Sequence, residues 1–173
     1  MERSVFTTKT AKMRNIEFKN FVEMLSKMAE TSMNCELAYI VAKNLRDLTE
    51  DYVKLMSELY DPQRDPDYIK FNEGSMAIAN KCADRDEQGN IIFDKNGKMM
   101  INDQLVEFQE AMNKYNEENK ELIETFNKKI EKNNEIMQET VERKLFTWDV
   151  IENIPKNADM SPALFAFLAG DVL

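Results

Sequence analysis

Apolar residues recur along this chain at alternating steps of three and four over two long stretches, the pattern of helices that pack side by side. The first stripe is Val41, Leu45, Leu48, Tyr52, Leu55 and Leu59; the second is Leu105, Phe108, Met112, Tyr115, Asn119, Leu122 and Phe126. The first predicts a helix reaching Tyr60, with Asn34 as its N-cap and Asp61-Pro62 and Asp65-Pro66 as successive stops. The second predicts a long helix capped by Asp103 and running to Lys132 or on to Gln138. A shorter helix is predicted through Phe18, Phe21, Val22, Leu25 and Met28, with Arg14 to Glu17 a short extended stretch before it. Residues 67–83 keep a weaker helical pattern that Gly74 interrupts, so a broken helix or ordered loop is expected there.

Two segments follow a different rule. Ile91-Ile92-Phe93 and Met99-Met100-Ile101 flank Lys95-Asn96-Gly97-Lys98. Asn-Gly accepts the positive φ angles of a tight turn, which predicts a β-hairpin at about 91–101. Further on, Phe146, Trp148 and Val150 alternate with Leu145, Thr147 and Asp149, which predicts an extended segment closed by Pro155. Ser161-Pro162 then opens a short terminal helix through Leu168 that stops at Gly170. No internal repeat is read from the letters alone. The expected fold is mainly α (α+β): an antiparallel pair of long helices with an N-terminal helix, a small β-hairpin and a short C-terminal helix. It forms one domain over residues 13–173, after a polar stretch, 1–12, read as a flexible leader.

Composition narrows the function more than the fold. At 173 residues and 43% hydrophobic, the chain is long enough to bury a core. Its formal charge of −9 disfavours a general basic face for nucleic acid or membrane, and leaves open a basic protein partner or mimicry of DNA by an acidic surface. The absence of histidine removes the usual general base near neutral pH, Ser-His and Cys-His pairs, and every His-containing metal site. Four widely spaced glycines assemble no phosphate loop. Cys35 and Cys82 lack metal or redox spacing and are expected to be reduced thiols of a cytosolic protein. No apolar run reads as a signal peptide or a membrane span.

The remaining motifs compete with ordinary surface chemistry. Asp84, Asp86, Gln88 and Gly89 match the start of a calcium loop, but Lys95 stands where the bidentate Glu belongs. Glu118, Glu121 and Glu124 alternate with lysines, as on a solvated helix face. No metal, no cofactor and no enzymatic activity are therefore expected. Asn119 occupies a core-type position of the second stripe, where a polar residue fixes register or oligomeric state. Phe146, Trp148, Leu164, Phe165, Phe167 and Leu168 are the candidate partner-binding residues, with Trp148 also suited to the core. Lys43, Arg46, Lys54 and Arg64 are candidates for an anion site across an oligomer interface.

The phrases RNIEFKNFVEML, AYIVAKNLRDLTEDYVKLMSELY, DEQGNIIFDKNG, DQLVEFQEAMNKY and SPALFAFL, in that order, give a layout over residues 13–173. It resembles an uncharacterised family of small proteins encoded by phages and prophages of Gram-positive bacteria. This chain carries an insert between Asp61 and Ala83 that the compact version of that layout lacks. The resemblance implies a phage origin and a place in the cytoplasm of a bacterial host. The expectation is a non-catalytic binding protein that engages and inhibits or redirects a host component, such as an antiviral defence system. The alternatives are a virion assembly factor or tail chaperone, a nucleotide-sequestering sponge, or an acidic DNA mimic. The expected partner is a host or phage protein, with a homodimer allowed.

Overall fold

The computed structural model describes residues 6–33 and 35–148. Asn34, the segment from Asp149 on, and with it the expected terminal helix bearing Leu164, Phe165, Phe167 and Leu168, lie outside the described residues. The protein is mainly helical with a small two-stranded antiparallel sheet. In chain order the elements are β1 (Phe6–Arg14), α1 (Asn15–Ala29), α2 (Cys35–Glu58), a 3₁₀ turn (Pro62–Arg64), α3 (Pro66–Cys82), α4 (Leu105–Glu118), α5 (Lys120–Gln138) and β2 (Thr140–Trp148). They divide into two compact units, residues 1–59 with 133–173, and residues 60–132.

The first unit holds the larger core. β1 and β2 pair antiparallel over their full lengths, from Phe6 opposite Trp148 to Arg14 opposite Thr140. The stretch read as a flexible leader is thus a strand from Phe6 onward. Its threonines favour a pleated backbone, and its alternating Ala11 and Met13 are buried. Its partner is more than a hundred residues away in sequence, so the short stretch carries no hairpin signal of its own. Arg14 ends the strand and starts α1: its backbone N–H donates to the Glu17 carboxylate at 2.8 Å, and its guanidinium grips the same carboxylate. Asn15 ties this corner to the other end of the chain, donating from its backbone N–H to Glu139 O at 2.9 Å and from its side chain to Ile136 O at 2.8 Å.

α1 buries Phe18, Phe21, Val22 and Leu25, at the spacing expected. α2 buries Leu37, Ile40, Val41, Asn44, Leu48 and Leu55, so the first stripe is the core-facing side of this helix. These side chains meet Ala11, Met13, Leu145 and Trp148 of the sheet in one cluster. Asn44 is the polar member. It is 1% exposed, and its amide both accepts from Phe146 N at 2.9 Å and donates to Phe146 O at 2.8 Å. A side-chain amide thereby stands in for a neighbouring strand and fixes β2 to α2.

The second unit is built differently. α3 is a continuous helix through Gly74, contrary to the expected break. Pro66 opens it behind the N-cap Asp65, whose carboxylate accepts from Asp67 N at 3.0 Å. Gly74 is needed because Tyr115 of α4 occupies the space of a side chain there: the phenol donates to Phe71 O at 3.1 Å, and its ring stacks on Phe71 at 5.4 Å. The second stripe is not one rod. Asn119 leaves helical geometry (φ −111°, ψ 18°) and separates α4 from α5. Its side chain donates to Tyr115 O at 2.8 Å, one turn back, so its polarity is satisfied within its own chain. Asp103 does not cap α4 either; Gln104 stands at the cap position without a side-chain bond.

Between α3 and α4 lies the hairpin predicted around Asn96-Gly97, and it proves to be one of a pair. Asp86 and Asp94 head identical turns eight residues apart. Each accepts at Oδ1 from the residues two and four ahead, Gln88 and Asn90 for the first, Asn96 and Lys98 for the second, at 2.8–2.9 Å. Gly89 and Gly97 close them at φ +84° and +74°. Bridges Arg85–Ile91 and Phe93–Met99 repeat with the same offset. At equivalent positions one step further back, Ile92 N donates to Asp84 O, Met100 N to Ile92 O and Asp84 N to Met100 O, each at 2.9 Å. Three residues spaced by eight close a ring of hydrogen bonds, and the segment between Asp84 and Asp103 forms a compact tongue.

Candidate protein-binding site

The tongue is anchored at its base by Asp84. Its carboxylate accepts from Asn102 N at 3.0 Å, from the Asn102 side chain at 2.8 Å and from Asp103 N at 3.2 Å. Hydrogen bonds from backbone N–H groups, of Asn102, Asn90 and Lys98 foremost, hold Asp84, Asp86 and Asp94 respectively below the usual carboxylate range. The acids that resembled half a calcium loop are thus turn formers. Among the described residues no group of three or more His, Cys, Asp or Glu could hold a metal ion.

Among its mostly polar exposed residues the tongue leaves two large apolar side chains in water. Phe93 is 55% exposed and Ile92 lies beside it, while Leu105 and Val106, the latter 63% exposed, open α4 just past the tongue's base. Residues 60–132 contain seven of the ten large apolar side chains left exposed among the described residues, and only Cys82, Ala83 and Phe126 there are buried. Residues 60–132 thus leave in water large apolar groups of the kind that the first unit mostly buries.

Also within residues 60–132, Lys129 of α5 holds the start of α3. Its ammonium lies 2.7 Å from Asp65 Oδ2 and 4.7 Å from the ring centre of Tyr60. The lysine's hydrogen bond, foremost, brings the Asp65 carboxyl down to about 2. Burial, with Asp65 alongside, pushes the Tyr60 phenol up to about 12. Phe126 packs edge-on to Tyr68 at 5.1 Å. This is a structural knot in which every charge has a partner.

The residues singled out from sequence fall as follows. Trp148 is 1% exposed and belongs to the core, so it is not a partner-binding surface. Its size and its place at the end of an alternating strand explain that. Phe146 is half-buried in an aromatic group with Phe6 and Tyr39, each 5.5 Å from it centre to centre, under the ammonium of Lys43. Lys43 and Arg46 both pair with Asp47, and Arg64 pairs with Asp61 at 3.2 Å; Lys54 is exposed on α2. Asn119 is half-buried at the helix break. Phe93, Leu105 and Val106 were missed as candidates. Their signal was present in the two D-x-x-G turns, each followed by one polar and two apolar residues, and in a helix opening on two adjacent apolar residues.

No protein-family model matches the chain, and neither a curated protein nor a solved structure shows significant similarity to it. No helix among the described residues is long and apolar enough to cross a membrane.

Proposed function

We propose that this chain is a non-catalytic binding protein whose tongue inserts Phe93 into an apolar pocket of a protein partner. The observation that supports this most is the contrast within residues 60–132: an aromatic side chain left 55% exposed between Ile92 and Asp94, whose backbone groups are hydrogen-bonded to Asp84, Met100 and Lys98. Rigid presentation lowers the ordering cost of binding, and a buried aromatic anchor is the usual centre of a protein interface. In the phage reading suggested by the layout, the partner is a host component, an antiviral defence protein being the best candidate, and binding inhibits or redirects it.

The test is a tagged pull-down from phage-infected cells with the wild-type chain and with Phe93→Asp. A host protein captured by the first and lost with the second supports the reading. A virion protein captured in the same Phe93-dependent way replaces it with an assembly role. Capture unaffected by Phe93→Asp removes the tongue from the mechanism.

A further inference from the structure

The two-stranded sheet has an edge on each side, and the two edges are treated unequally. On β2 the side chain of Asn44 occupies both backbone groups of Phe146. That contact also settles which groups of β1 face outward. Directly opposed antiparallel residues point their N–H and C=O either both toward each other or both away. Phe146 spends its groups on Asn44, so its opposite number Thr8 must also point its own away from β2. By the two-residue period, so do Thr10 and Lys12. At Arg14, next in that series, the outward N–H goes to Glu17, as this parity requires. Thr8, Thr10 and Lys12 are all exposed, and none of their outward backbone groups has a hydrogen-bond partner.

We infer that the outer edge of β1 is a self-association site, on which β1 of a second copy pairs antiparallel about a twofold axis through Thr10. Three outward positions symmetric about Thr10 are what a twofold needs. Thr10 meets Thr10 of the other copy, and Thr8 meets Lys12 in both directions. All six outward N–H and C=O groups are then satisfied, giving a continuous four-stranded sheet in the order β2, β1, β1, β2. The charges permit it. Lysine on an edge strand ordinarily discourages pairing, and a like charge directly opposite would oppose it. In this register Lys12 faces a threonine, its own cross-strand neighbour in the sheet is Glu142 at 3.6 Å, and the central pair is Thr–Thr, which favours strand pairing. Strand pairing alone buries less than the roughly 1,200–2,000 Å² of a tight interface, so the association is weak and concentration-dependent.

Sedimentation equilibrium of the full chain, from about 10 to several hundred micromolar, tests this, with Thr10→Pro and Thr10→Glu as variants. The wild type is expected to shift from monomer to dimer. Thr10→Pro, which removes the central outward donor of each copy, is expected to stay monomeric with its helical circular dichroism intact. Should proline disturb β1 itself, Thr10→Glu faces Lys144 of β2 across the ladder, so it keeps that pairing, and it places two like charges on the axis, weakening dimerisation by about fivefold. In a Cys35→Ser background, Thr10→Cys is expected to form a disulfide-linked dimer on oxidation, and Lys12→Cys is not. A wild type that stays monomeric over the whole range overturns the inference. So does a dimer that survives both Thr10 substitutions, or Lys12→Cys cross-linking as readily as Thr10→Cys.

Discussion

The hydroxyl of Tyr115 stands where the Cβ of any larger residue at Gly74 would have to be, and that single overlap joins α3 to α4. The ring of Tyr115 lies flat on Phe71, and its phenol returns a hydrogen bond to the Phe71 carbonyl. Gly74 therefore belongs to the contact and is not a flaw in the helix.

Replacing Gly74 by Ala is expected to destabilise the protein by about 1–3 kcal/mol, since the tyrosine ring must be displaced. In a Tyr115→Ala background the same change is expected to become neutral or stabilising, because alanine is favoured over glycine inside a helix by roughly 0.5–1 kcal/mol. Urea unfolding of the four members of this cycle measures the coupling. Additive effects would remove Tyr115 as the reason for the glycine.

Asn44→Leu keeps the branching of the side chain and withdraws both hydrogen bonds from Phe146. The strand's N–H and C=O are left beside a buried apolar group, a loss of about 2–4 kcal/mol. Hydrogen exchange at the Phe146 amide should accelerate more than exchange in α1. If Asn44→Leu is as stable as wild type, the clamp contributes nothing net.

Acid is expected to weaken residues 60–132 through Asp65. Its carboxyl titrates near 2 in the folded protein against about 3.9 in an unfolded chain, so the folded state binds fewer protons between those values. The stabilisation is complete above about pH 4 and fades as pH falls toward 2. Lys129→Met removes the largest cause of the shift and should flatten the slope of stability against pH in that window. An unchanged slope would locate the acid sensitivity elsewhere.

Phe93→Ala is expected to alter stability by no more than about 0.5 kcal/mol, because most of the ring is already in water. Affinity for the captured partner should fall at least about tenfold, which is about 1.4 kcal/mol. Thermal unfolding and titration calorimetry on the same variant separate the two effects. Lost stability with unchanged affinity would make Phe93 a packing residue.

Elements whose partners lie nearby in sequence, or whose amphipathic stripe is long, were legible. α1, α2 and the Asn96-Gly97 turn follow from spacing and turn chemistry, and β2 from the alternation through Phe146 and Trp148, whose expected continuation to Val150 lies outside the described residues. β1 was not legible, because a nine-residue polar strand shows its purpose only beside Thr140–Trp148. α3 was misread because Gly74 signals a break when no neighbour is known and a close approach when Tyr115 is. The split at Asn119 was hidden because a local bond to Tyr115 O and a core position in a heptad place the same demand on the residue: a polar group among apolar ones. Within the tongue the repeated Asp and Gly were visible, but the ring through Asp84, Ile92 and Met100 uses backbone atoms, and any residue type serves there.

That indifference to side chains has an evolutionary consequence. Because Asp84 pins Asn102 and Asp103 at the tongue's foot, the helices on either side meet at a fixed gate whatever sequence passes beyond it. The tip can then change at positions other than Asp86, Gly89, Asp94 and Gly97, which build its two turns, while the posts keep their spacing. A protein under pressure to follow a moving target would keep its frame and revise only those few letters.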